Sequence, residues 1–128
     1  MNLEDDKYCF VCGKNNPIGL KLDFEYLEDG IKSVFTPLKE HQGWQNVTHG
    51  GIISTLIDEV MARLVIRMEK IGLTSSMEIR FIRPAPTGEE LTIFAQVKEI
   101  KGNKIKTVAK MTSKGKLIAS GKGTYVFF

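Results

Sequence analysis

Cysteine, histidine and tryptophan are scarce in this chain of 128 residues, which has two, two and one of them. Two cysteines cannot staple a small secreted scaffold, so the fold must rest on a hydrophobic core. Proline is also rare, at four residues, and no repeat, low-complexity tract or linker interrupts the chain. Collagen-like and disordered classes are thereby excluded. No apolar run approaches the roughly 20 residues that a membrane-spanning helix needs. The opening residues, MNLEDDK, are acidic where a secretory signal would be basic and then apolar. The expected compartment is therefore the cytoplasm, with no membrane partner. The length suits a single domain spanning 1–128.

Excess charge is small, +3 from 18 basic and 15 acidic residues, but it is unevenly placed. All the lysines after residue 100, at 101, 104, 106, 110, 114, 116 and 122, stand without a single acid among them. They are spread through alternating, strand-like sequence with no interleaved aromatics before Tyr125. That pattern reads as solvated faces and turns of a sheet, with no nucleic-acid partner; a polyanionic small molecule suits it better.

Hydrophobic periodicity supplies the elements. Leu20, Leu22, Phe24 and Tyr26 alternate with polar residues and predict a strand, Glu28-Asp29-Gly30 a turn, and Ile31–Thr36 a returning strand. From Gly50 to Ile71 the period becomes helical. Ile52, Ile53, Leu56, Ile57, Val60, Met61, Leu64, Val65 and Met68 form its apolar stripe, and Gly72 is the expected C-cap. Thr74–Arg83, Glu90–Ile100, Ile105–Thr112 and Leu117–Phe127 then read as four strands. Two strands, one long helix and four strands predict an α+β fold with an antiparallel sheet around the helix.

Two features of the helix suggest chemistry. Asp58 stands beside the apolar stripe among small residues (Gly51, Ser54, Thr55, Ala62) and has no cation one turn ahead. Glu59 does, since Arg63 follows at i+4, so Glu59 reads as structural. Thr48-His49-Gly50-Gly51 opens the helix with first-turn N–H groups that no side chain covers, a setting for a carbonyl oxygen or anion. Gly50 and Asp58 are about 12 Å apart along the axis. One chain cannot bring both to one carbon, whereas two antiparallel helices in a symmetric dimer can.

At these residues the chain resembles the hotdog-fold thioesterase superfamily, in the branch similar to the phenylacetate-pathway thioesterase. The matching stretches are Cys9-Phe10-Val11-Cys12-Gly13, Asn16-Pro17-Ile18-Gly19-Leu20, His41-Gln42-Gly43-Trp44, His49 through Glu59, Thr74, Phe81-Ile82-Arg83-Pro84 and Gly88. The resemblance implies one long central helix wrapped by an antiparallel sheet of five to six strands, in a homodimer or dimer of dimers acting on acyl-CoA without a cofactor. It implies a catalytic set of Asp58, Gly50 and His49. The Gly50 N–H polarises the thioester carbonyl, Asp58 of the neighbouring subunit serves as general base or nucleophile, and the His49 ring is structural. Gly51, Asn46, Thr74 and Arg83 fall at substrate-binding positions. Gly43 stands where some relatives carry a water-orienting asparagine, and Asn46 is the nearest substitute. A non-catalytic acyl-CoA-binding or regulatory hotdog domain is the alternative.

Cys9-x-x-Cys12 is half a zinc site, which His41 and His49, or that pair from a second subunit, would have to complete. The sequence reading is instead two reduced thiols in an N-terminal segment, 1–19, that covers the barrel mouth, with no metal.

Overall fold

The computed structural model describes residues 3–128. Strands β1 (Glu25–Leu27) and β2 (Gly30–Phe35) form a hairpin, and a loop containing one 3-10 turn leads to helix α1 (Gly50–Arg67). Strands β3 (Gly72–Phe81), β4 (Leu91–Lys101), β5 (Lys104–Ser113) and β6 (Lys116–Phe127) follow. All six strands pair antiparallel in the order β1-β2-β4-β5-β6-β3. The helix packs against β2 to β6. This is the hotdog arrangement.

Seven of the nine stripe residues are buried, all of them on α1: Ile53, Leu56, Ile57, Val60, Met61, Leu64 and Val65. They meet alternate residues of the strands, among them Ile31, Leu91, Ile93, Ile105 and Met111. Burial of a side chain this size contributes about 1.5–3 kcal/mol, so the stripe holds helix to sheet. The late lysines stay exposed, as alternation predicts.

Three boundaries differ from expectation. The helix ends at Arg67, not at Ile71. Lys70 N–H bonds to Val65 O and Glu69 N–H to Ile66 O, with Glu69 at φ 59°. That is a Schellman closure with glutamate in the left-handed position that glycine usually takes, so the sequence carried no stop signal there. Gly72 is not the cap; it begins β3, and a Cβ on it would stand 2.9 Å from Val65 Cγ1. The strand predicted from Leu20 begins only at Glu25. Leu20 and Leu22 are buried as alternation requires, but their N–H groups bond to Phe10 O and Val11 O, and Lys21 turns to φ 56°. The N-terminal segment, not the sheet, holds them.

Candidate active site

The helix begins with an uneven distribution of its free amides. His49 is the N-cap, and its Nδ1 accepts from Gly51 N–H at 2.8 Å. Ile52 and Ile53 N–H groups both bond to His49 O. Of the four opening amides, only Gly50 N–H has no acceptor among the described residues. The imidazole thus caps the helix, and the exposed Gly50 offers the remaining donor.

Beside it lies a pocket of about 280 Å³ walled by Gly50, Ile53, Phe81, Ile82, Arg83 and Ala85, with Thr48 in the same wall. Thr48 is buried, and its hydroxyl has no hydrogen-bond partner among the described residues. A threonine before a helix reads as an ordinary loop residue, so no local pattern marks this hydroxyl. Arg83 reaches this pocket while Nη1 donates to Leu117 O at 2.8 Å. Asn46 does not join the group. It forms a turn at φ 63°, with its N–H on Gln42 Oε1 and its carbonyl accepting from Thr87 N–H. Gly43 does lie against the helix entry, where a Cβ would stand 3.4 Å from His49 Cα.

Asp58 lies two turns further along α1, half-buried, facing β3 and β6. Thr74 Oγ1 donates to its Oδ1 at 3.0 Å, and Tyr125 OH to the same oxygen at 2.7 Å. Thr74 and Tyr125 are cross-strand partners, and a bulge between Thr74 and Ser76 adjoins the pair. Strand register therefore delivers both hydroxyls to one carboxylate oxygen, and Oδ2 has no protein donor among the described residues. Burial first, and then the Asp58 carboxylate, hold the Tyr125 phenol well above its ordinary range, so it remains a donor. Sequence reasoning placed Thr74 near the site and missed Tyr125, whose only signal was an aromatic in the last strand.

Met61, Leu64 and Val65 are buried in the core, and Trp44 is exposed. A larger cavity, about 490 Å³, opens between Lys98, Lys106 and Lys122, and it includes neither Asp58 nor the helix entry.

On the other flank of α1, Glu59 meets Arg63 at 3.8 Å as the i+4 spacing predicts, with both side chains largely covered. Arg63 lies over the Phe24 ring at 4.1 Å. Cys9 and Cys12 also converge on Glu59. The histidines that would have completed a metal site are engaged elsewhere, His41 with Leu38 N–H and His49 with Gly51 N–H. Burial, and then the facing Glu59 carboxylate, push the Cys12 thiol up to about 12.

Residues 45–119 match the family described as the thioesterase superfamily. Human acyl-coenzyme A thioesterase 13 is 34% identical over 90 residues, 67% of this chain and 64% of that protein. A provisionally named esterase of Archaeoglobus fulgidus is 37% identical over 117 residues, 87% of this chain and 75% of that one. Among solved structures, the PaaI protein of the E. coli phenylacetic acid degradation operon superposes with a TM-score of 0.80 at 21% identity, covering 85% of this chain and 80% of its own. A Streptococcus pneumoniae thioesterase solved with coenzyme A gives 0.78 at 17% identity, covering 83% and 87%. The protein belongs to the thioesterase superfamily. Its chain spans 64% of the length of the human relative.

Proposed function

We propose that this protein is an acyl-CoA thioesterase working as a homodimer, or dimer of dimers, with each site shared between two chains. The observation that carries the reading is the division of labour along α1. One free amide stands at Gly50, and one hydroxyl-held carboxylate stands at Asp58, about 12 Å away on the same helix. Neither completes a site alone. β3 is an unpaired ten-residue edge with Leu73, Met77, Phe81 and the adjacent Ile82 partly exposed, an arrangement a solitary chain would avoid. Pairing β3 with its copy across a two-fold axis sets two α1 helices antiparallel and brings Gly50 of one chain toward Asp58 of the other.

In this reading the Gly50 N–H receives the carbonyl oxygen and the negative charge that develops on it. The free Oδ2 of Asp58 takes a proton from water attacking the carbonyl carbon, or itself attacks to give a mixed anhydride that water then opens. The C–S bond breaks and coenzyme A departs as its thiol. Thr74 and Tyr125 hold Oδ1 and so aim Oδ2. The coenzyme A in the S. pneumoniae structure and the substrate named for the human relative support the acyl-CoA class.

The test is thiol release from acetyl-, medium-chain, long-chain and aryl-CoA, wild type beside Asp58→Asn. Turnover that falls 10²-fold or more in a folded, dimeric variant supports the assignment. Binding without turnover in the wild type would make the groove a receptor, the non-catalytic alternative. Single turnover in ¹⁸O-water separates base from nucleophile, since only the anhydride route labels Asp58.

A further inference from the structure

The convergence of Cys9, Cys12 and Glu59 serves no step of the proposed hydrolysis. We infer that these three side chains form a binding site for a thiophilic divalent cation of the zinc class, which ties the N-terminal segment to α1.

The ligand atoms, Cys9 Sγ, Cys12 Sγ and a Glu59 carboxylate oxygen, all lie within 4.8 Å of one another. Bonds of about 2.3 Å to sulfur and 2.0 Å to oxygen put the ligand atoms of a tetrahedral zinc about 3.5–3.8 Å apart. Cys9 Sγ and Glu59 Oε1 are 3.9 Å apart, so that pair closes on an ion by a few tenths of an ångström, and the other pairs by no more than about 1 Å.

The loop is also shaped for a thiolate at Cys9. Val11 N–H and Cys12 N–H both point at Cys9 Sγ, each at 3.4 Å, and Gly13 N–H closes the turn on Cys9 O at 2.9 Å. Backbone donors aimed at a sulfur stabilise its negative charge and fix its direction, as second-shell donors do around metal ligands. Gly13 is required by packing, since a Cβ there would stand 2.6 Å from the carbonyl oxygens of Cys9 and Lys7. A plain covering loop has no need of so tight a turn.

Charge fits as well. Two thiolates, one carboxylate and a divalent ion sum to −1, and Arg63, already beside Glu59, supplies the balancing cation. Its Nε is buried without a partner among the described residues. Binding releases the two thiol protons to solvent, leaves both sulfurs reduced and needs no oxidant. Three protein ligands leave one position for water. The ion would join residues 9 and 12 to the helix one residue beyond Asp58, adding to the buried Val11, Leu20 and Leu22, the backbone bonds and the Lys14–Asp23 ion pair that hold the segment.

The experiment uses the full-length protein, purified reduced and without chelator, then stripped and titrated with Co²⁺ and Zn²⁺. One equivalent per chain, with the visible bands of tetrahedral cobalt and a thiolate-to-cobalt charge-transfer band in the near ultraviolet, is the expected result. Cys12→Ser should abolish the charge-transfer band or weaken affinity at least 100-fold, and Glu59→Gln should weaken it about 10- to 100-fold. Asp58→Asn should leave binding unchanged. Circular dichroism checks each fold; if Cys12→Ser does not fold, wild type and Glu59→Gln still decide. No cobalt band in the reduced wild type overturns the site. So does binding untouched by Glu59→Gln, or a Cys9–Cys12 disulfide forming in air with no metal ever bound. None of these readouts passes through thioester hydrolysis, so the metal site and the thioesterase assignment can fail separately.

Discussion

Replacing Tyr125 with phenylalanine removes one oxygen from the core and one donor from Asp58. The ring is 1% exposed and Phe keeps its shape, so packing is unchanged. A phenol has one proton, and of its two acceptors, Asp58 Oδ1 at 2.7 Å and Asp58 O at 3.0 Å, the carboxylate is the shorter contact. A hydrogen bond to a charged acceptor contributes about 1.5–3 kcal/mol net. Oδ1 keeps Thr74, so the low end applies, about 1.5 kcal/mol. With an unfolding entropy near 2.1 cal/mol/K per residue, that loss lowers Tm by about 5–6 °C. In catalysis Tyr125 is a positioning residue. Losing one of two donors lets the carboxylate swing, and kcat should fall about tenfold, or about 1.4 kcal/mol, with KM within twofold. Thermal melts and thiol release on the same preparation give both numbers. Thr74→Val should act similarly, and the double variant should depart from additivity because both hydroxyls meet one oxygen. A lower Tm with unaltered kcat would reduce Tyr125 to packing and refute the orienting role.

Other consequences are as direct. Alkaline titration followed at 295 nm should show Tyr125 ionising only as the protein unfolds. Because the folded state raises the Tyr125 pKa, its contribution to stability is complete below the ordinary phenol range and is lost progressively as pH rises from there through the raised folded value. Ionisation of Tyr125 within its ordinary range in a folded protein would contradict this. Glu69→Gly relieves a left-handed residue at the helix end and should raise stability by about 0.5–1 kcal/mol; an unchanged or lower Tm would mean the closure is not strained. Met77→Asp places a charge on the half-exposed flank of the β3 edge and should give a monomer by light scattering. Activity should fall with the dimer; an active monomer would remove the shared site.

Much of the fold was legible because periodicity is local. The stripe on α1 and the alternation of the last four strands follow from residues a few positions apart, and their boundaries fell within a few residues of expectation. Asp58 was legible as a charge beside apolar positions with no partner at i+4, and Glu59 as half of an ion pair. The helix end was not, since Glu69 holds a conformation that glycine advertises and glutamate does not.

What the sequence determined alone was which faces must be buried, a property set within a turn or two of chain; it read the first-turn amides as uncovered, whereas the His49 ring takes Gly51 N–H. Tertiary structure decided what meets those faces. Tyr125 reaches Asp58 across 67 positions because β6 lies beside β3, and Cys9 reaches Glu59 across 50 because the N-terminal segment folds back over the helix. No periodicity carries such pairings, because they depend on how the sheet closes around α1 and not on the spacing of residues along the chain.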